Sequence, residues 1–265
     1  LGGDSIALWY DAKKNKITTI NGSGKSPSRA SKKYFNSKGL KKIPRRGSLS
    51  ISVPGVVHAW ETALKKYGKK NLKNVLESAI NLAEKGIVID KYLKTFFESK
   101  VYRNLIKNNK NLSDIYGDSK NFKIGSKIKQ KKLAKTLRIL SNEGSKSFYK
   151  GKLSKIIVED ISKQGSIITV DDFKNHSTLI QKPISTTYLN KKIYVAPPNS
   201  QGLALISLCN LFKVIKNNND KTKLSDYLKN KKTAFKYRDF YCIDPSISKI
   251  NHKIINNTKK NYLEK

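Results

Sequence analysis

The sequence predicts a mixed α and β fold, and three observations carry that reading. Apolar residues recur at helical spacing in several separate stretches. Two pairs of short β-branched and aromatic runs flank turn residues. One segment joins the two kinds of pattern. That segment is Lys192–Phe212, KIYVAPPNSQGLALISLCNLF, and the rest of the chain is organised around it. Ile193-Tyr194-Val195 reads as a strand that ends at Pro197-Pro198, because neither proline can donate to a sheet ladder. Asn199-Ser200-Gln201-Gly202 is a compact polar turn, and a helix follows with Leu203, Ile206, Cys209 or Asn210, Phe212 and Val214 on its apolar stripe. Asn199 or Ser200 can accept hydrogen bonds from the first free amides of that helix. The turn is either a plain strand-to-helix joint or a seat for an anionic or carbonyl group.

The other elements follow in order. Ser5–Tyr10 and Ile17–Ile20 form a hairpin around the turn Asp11–Lys16. It leads into Asn21-Gly22-Ser23-Gly24-Lys25-Ser26-Pro27, whose glycines permit close backbone approach to a ligand. The GxxxxGK(S/T) spacing of a P-loop is absent there. Pro54-Gly55 opens a helix running to about Tyr67, with Val56, Val57, Trp60 and Leu64 on one face. A second helix from near Asn71 carries Leu72, Val75, Leu76, Ala79, Ile80 and Ala83, and Gly86 closes it. Asp90 caps a helix through Phe96 and Phe97, whereas residues 103 to 128 read as polar loop. Leu133, Ala134, Leu137 and Leu140 mark a further helix, Phe148–Gly151 a turn, and Leu153, Ile156, Ile157 and Ile161 the next helix. Thr169 and Asp172 have capping-box spacing. Leu179–Tyr188 pairs with Ile193–Val195 in a second hairpin around Asn190-Lys191, and the last helix spans about Ser225 to Tyr241, broken at Asp244-Pro245.

Composition restricts the partners. The chain carries 55 Lys and Arg against 19 Asp and Glu, a formal charge of +36, so nucleic acid or an anionic surface is the first partner class to test. Two features disfavour nucleic acid. Only six of the basic residues are arginine (Arg29, Arg45, Arg46, Arg103, Arg138 and Arg238), and the lysines are spread over nearly every polar position instead of forming a patch. No run approaches the ~18 apolar residues of a membrane span. Cys209 and Cys242 are too few for a disulfide framework and read as buried thiols. His58, His176 and His252 form neither a metal-binding spacing nor a triad, so each is read as structural, and no metal or cofactor is expected. From the residues alone, an enzyme-like domain follows but no named reaction.

Segment order says more. Gly2-Gly3-Asp4 with SIALWYDAK, then SVPGVVHAWETALKKYG, ESAINLAEKGIVI, SFYKG, ITVDDF, PISTTYLNKKIYVAPPNSQG and YRDFYCIDP run in one unbroken series across nearly the whole chain. That series resembles the large-subunit part of the gamma-glutamyltranspeptidase (glutathione hydrolase) family. The resemblance implies an α+β fold, the αββα sandwich of N-terminal-nucleophile hydrolases, with residues 1–265 forming only part of the domain. An upstream leader and first helix, and a downstream small subunit from the same self-cleaving precursor, are expected outside it. A signal peptide would lie before Leu1, leaving a periplasmic or a cytoplasmic location open. In such enzymes a threonine at the new N-terminus attacks a γ-glutamyl amide, with its own α-amine taking the proton. No residue of this chain is expected to be that nucleophile, and Thr186-Thr187 reads as structural.

One departure bears on substrate. The family's usual arginine, a bidentate clamp for the substrate α-carboxylate, falls at Ser23 when NGSGKSP is laid over the motif. Ser23, Gly24, Lys25 and Arg29 are therefore the candidate substrate contacts, although a lysine does not replace the arginine fork geometrically. The glycine-serine loop resembles that of acylase-like and amidohydrolase-like relatives. Arg238 matches a family arginine, while Tyr237 and Ile243 stand where aspartate and glycine are usual. Three functions follow: a hydrolase or transferase of γ-glutamyl amides, an amide hydrolase of the same fold with another acyl substrate, and a basic binding module. Half a sandwich is also expected to leave apolar surface uncovered and to aggregate alone.

Overall fold

The computed structural model describes residues 1–107, 109–117, 122–216 and 224–244. In chain order they form β1 (Ser5–Asp11), β2 (Lys16–Gly22), α1 (Lys32–Ser37), a single 3-10 turn (Ser48–Ser50), α2 (Val56–Tyr67) and α3 (Leu72–Lys85). Next come β3 (Ile87–Val88), α4 (Lys91–Glu98), α5 (Lys100–Lys107), α6 (Lys110–Tyr116), β4 (Lys127–Ile128), α7 (Lys131–Glu143) and α8 (Ser145–Tyr149). The last are α9 (Lys152–Lys163), α10 (Val170–Lys174), β5 (Leu179–Gln181), β6 (Ile184–Tyr188), β7 (Lys191–Val195), α11 (Gly202–Lys216) and α12 (Leu224–Tyr241). Two compact units result, one from residues 1–24, 54–59 and 177–265, the other from 25–53 and 60–176.

In the first unit, β2 lies between β1 and β5, antiparallel to both. Partners on each side bury Thr19 to Gly22, whereas Ile6, Leu8, Trp9 and Tyr10 of the edge strand β1 are exposed. Gly22 is required by close approach. A Cβ there would lie 2.5 Å from the Ala59 Cβ and 3.1 Å from the Gly55 carbonyl. The Gly3 carbonyl accepts from the amides of Gly55 and Val56, which ties the first residues of the chain to the start of α2. β6 and β7 form a separate ribbon on which α11 packs, α12 packs against α11, and one core joins Ile184, Val195, Leu203, Ile206 and Tyr237.

In the second unit, α3 packs against α7 by a stripe of Leu72, Leu76, Ile80 and Ala83 facing Ala134, Leu137 and Leu140. Asn71 and Asp90 cap α3 and α4 by accepting from the amides of Asn74 and Leu93. A second core joins Ile89, Phe97, Tyr102, Ile106 and Ile128.

Several expectations are corrected. Residues 103 to 128 are not a loop; they hold most of α5, all of α6, and β4. Val101 with Leu105, Tyr102 with Ile106, and Leu112 with Tyr116 are pairs at i and i+4, but helices of eight and seven residues are too short for the periodicity to stand out. Phe148–Gly151 is not a free turn, because Phe148 and Tyr149 end the short, buried α8. Leu179–Gln181 pairs with β2 and not with β7, and the ribbon turn is Leu189-Asn190, both at positive φ (49° and 60°). Trp60, Val75, Ala79 and Ile156, placed on core faces by spacing, are exposed. Helix α2 starts at Val56, after Pro54-Gly55. Cys209 is buried, but Cys242 is only half-buried. Pro245 and His252 lie outside the described residues.

Candidate functional site

Two polar segments of the first unit, Asn21–Gly24 after β2 and Asn199–Gln201 before α11, are joined by a closed set of hydrogen bonds. Asn21 Oδ1 accepts from the Ser23 amide (3.1 Å) and from Ser23 Oγ (2.7 Å). Asn21 Nδ2 donates to Asn199 Oδ1 (3.0 Å) and to Gln181 Oε1 (3.3 Å). Asn199 Nδ2 donates to Ser23 Oγ (2.8 Å) and closes the ring. The Ser23 backbone N–H can only donate, so it fixes the orientation of the Asn21 amide and, in turn, the direction of every bond around the ring. All four hydrogen-bonding positions of Asn21 are used, and the residue is 3% exposed.

The neighbouring groups are engaged too. Asp4 Oδ1 accepts from the Gly24 amide at 2.8 Å, which assigns a role to the Gly-Gly-Asp start of the chain. Ser200 Oγ donates to the Ala196 carbonyl (2.7 Å) and accepts from the Gly202 amide (3.2 Å), so Ser200 is the residue that caps α11. Gly202 is required here, since a Cβ would stand 2.7 Å from the Val195 Cβ and 2.8 Å from the Ala196 carbonyl. Arg238, near the end of α12, donates from Nη1 to Gln201 Oε1 (2.9 Å) and from Nε to its neighbour Asp239 (2.8 Å). Cys242 Sγ donates to the Ser200 carbonyl at 3.0 Å. Burial pushes the Cys242 thiol up, against the opposing pull of the Arg238 charge. The end of α12 thus braces the turn that carries Asn199.

Of the four sequence-derived contacts, Ser23 and Gly24 belong to this network. Lys25 and Arg29 belong to the second unit, where both side chains are exposed. Their segment is fixed there by the Val53 amide donating to the Lys25 carbonyl (3.0 Å) and the Ser28 amide donating to Asp172 Oδ1 (2.9 Å). Asp172 also closes the capping box with Thr169. Burial would raise its carboxyl, but the donors from Ser28 and Thr169 outweigh that and lower it. His58 Nδ1 accepts from the Thr178 amide (3.1 Å), which makes the ring a brace between α2 and the approach to β5. Sequence reasoning missed the joining of Asn21 to Asn199, Gln201 to Arg238 and Asp4 to Gly24. The first pair is separated by 178 positions, and no spacing rule reaches that far.

Chemically, the ring of two carboxamides and a hydroxyl is a neutral hydrogen-bonding wall with no cation in it. It is a scaffold for holding a loop and not a carboxylate clamp.

Comparison with solved structures defines the class first. The fold is that of the gamma-glutamyltranspeptidase group of N-terminal-nucleophile hydrolases. Helicobacter pylori gamma-glutamyltranspeptidase superposes with a TM-score of 0.87 at 26% identity, over 99% of this chain and 78% of that one. Cephalosporin acylase from Bacillus halodurans shares the fold at a TM-score of 0.87 and 24% identity, over 99% of this chain and 50% of that one. The family model for gamma-glutamyltranspeptidase matches residues 1–265. Among curated relatives, the glutathione hydrolase-like YwrD proenzyme of Bacillus subtilis is 33% identical over 215 residues, 80% of this chain and 40% of that protein. The glutathione hydrolase proenzyme of the same organism is 30% identical over 236 residues, 86% and 38% of the two chains. The chain belongs to the gamma-glutamyltranspeptidase family. It spans about two fifths of the length of these two relatives.

Proposed function

We propose that this chain is the large-subunit part of an amide hydrolase and acyltransferase that acts on γ-glutamyl amides such as glutathione. The observation that carries the reading is the family match over all 265 residues, in a fold that follows gamma-glutamyltranspeptidase from end to end. Its relatives are named proenzymes, and the partner proposed here is a small subunit released from the same precursor, bearing the nucleophilic threonine. That threonine's free amine takes the proton as its hydroxyl attacks, the γ-glutamyl group forms an ester, and water or an amine accepts it. Ser23, Gly24, Lys25 and Arg29 are the proposed substrate contacts, with the two basic side chains as the proposed source of positive charge. Release of p-nitroaniline from a γ-glutamyl anilide by the self-cleaved precursor is the expected result. A precursor that cleaves itself and releases nothing from any anilide overturns it.

A second reading is favoured by Ser23 itself. Its hydroxyl is tied to Asn21 and Asn199, and no guanidinium stands in that loop to hold an α-carboxylate. This arrangement suits an acyl group that lacks the carboxylate. Faster turnover of a plain acyl anilide than of the γ-glutamyl one supports this reading. Ser23→Arg should then move the preference toward the γ-glutamyl substrate by roughly tenfold or more, the scale of a charge-assisted bidentate contact.

A further inference from the structure

We propose that the second unit carries a binding site for a small polyanion of the diphosphate type, in a cleft between the end of α2, the start of α3 and the end of α7. The cleft consists of two hollows, of about 470 and about 250 Å³, that share Lys73 and Ser141 in their walls. Together they fall in the range of small-ligand sites, roughly 300–1,000 Å³.

The charge inside is unbalanced in a specific way. Lys69, Lys70 and Lys73 line the larger hollow, and none of the three has an ion-pair partner among the described residues. The other cations of the cleft do: Lys65 meets Glu61 at 3.4 Å, and Arg138 is held by both oxygens of Glu84, at 2.8 and 2.7 Å. The one carboxylate lining the larger hollow, Glu61, already accepts from Ser145 Oγ and faces Lys65. Among the described residues, the larger hollow is therefore lined by three exposed lysines without an ion pair and by no carboxylate that lacks a partner. Glu77, exposed and without an ion pair among the described residues, lines the smaller hollow and pushes an anion toward the larger.

Three ammonium groups around one opening suit a ligand with at least two negative charges on adjacent groups. A single carboxylate leaves part of that charge unanswered. Lysine binds phosphate as a point charge and needs no fixed fork. A phosphoanhydride fits the volume and the charge together.

Calorimetric titration of the self-cleaved precursor with inorganic pyrophosphate, at constant ionic strength to hold screening fixed, tests the site. Saturable binding of one pyrophosphate per chain is expected. Substituting Lys69→Gln, Lys70→Gln and Lys73→Gln together should weaken it by about tenfold or more. Removing the same charge from the hairpin turn, with Lys13→Gln, Lys14→Gln and Lys16→Gln, should change it by less than about twofold. Ser141→Leu fills the shared wall without altering charge and should also weaken binding by about tenfold. Equal losses in the two lysine triples, several pyrophosphates bound per chain, or unchanged affinity in Ser141→Leu each overturn the proposal and leave only diffuse charge.

Discussion

Two polar regions of this chain solve opposite problems. The loop at Asn21–Gly24 and the turn at Asn199–Gln201 are dense in hydrogen-bonding groups, and these groups are satisfied within the protein. The cleft bordered by Lys69, Lys70 and Lys73 carries charges that the described residues leave unanswered. Composition alone would rank the second region as the more ordinary, since lysine saturates the surface. What separates them is burial. Asn21 is 3% exposed, so an unmade bond there is costly, whereas the three lysines are exposed and water answers them. A neutral ring anchored on the buried Asn21 amide holds a loop in one shape, and an exposed set of cations waits for a ligand.

The largest effect that can break this contrast is steric. Gly22→Ala, next in sequence to Asn21, forces a methyl against the Ala59 side chain and the Gly55 carbonyl. A loss of about 3 kcal/mol is expected, the upper end for overpacking, or a fall in Tm of roughly 6–12 °C. Gly2→Ala, with nothing within 4 Å, is the matched control and should leave Tm unchanged. Next in size is Asn21→Ala, which removes two donors and one doubly used acceptor and leaves Ser23, Asn199 and Gln181 short of partners. About 2 kcal/mol of stability should go with it, read by chemical denaturation. A loss below about 0.5 kcal/mol would show that water replaces the ring freely, and the loop around Asn21 would then be no different in kind from the cleft.

How much of this could be read beforehand follows the same physics. Helices α3 and α7 were legible because four and three buried apolar residues recur at i, i+3 or i+4 along each. The start of α3 near Asn71 and the caps at Asp90 and Thr169 were legible from their side chains and positions. Helices α5 and α6 were hidden among lysines and asparagines, because each is only eight or seven residues long and its apolar pairs do not extend into a longer stripe. The pairing of β5 with β2 is long-range and left no local mark. The same holds for the site. Ser23 was reachable because the family pattern places it at the arginine position, but Asn21 meets Asn199 only through the folded sheet and turn. Exposure of Trp60 and of β1 also escaped a pattern reading, since spacing gives a face and not what covers it.

The smaller predictions concern charge. Burial would raise the Glu61 carboxyl, but the Ser145 hydrogen bonds and Lys65 outweigh it and hold it below an ordinary carboxyl's 4.5. Its folded pKa is therefore below its unfolded one, so its contribution is fully present above about pH 5 and drains away as pH falls through the carboxylate range. Acid unfolding of the native chain should show that dependence, and Glu61→Gln should show a flatter profile with the increment already missing at neutral pH. An equal slope in both would mean that Ser145 is held by something else. Least of all should Lys69→Gln alter stability. Among the described residues it has no ion-pair partner to lose, the chain carries +36, and removing one charge from a cluster of three relieves repulsion. Its Tm should hold or rise slightly, within about 0.5 kcal/mol of the native chain. A clear fall would mean that Lys69 is structural, and the cleft would belong with the ring, among groups whose partners are already inside the protein.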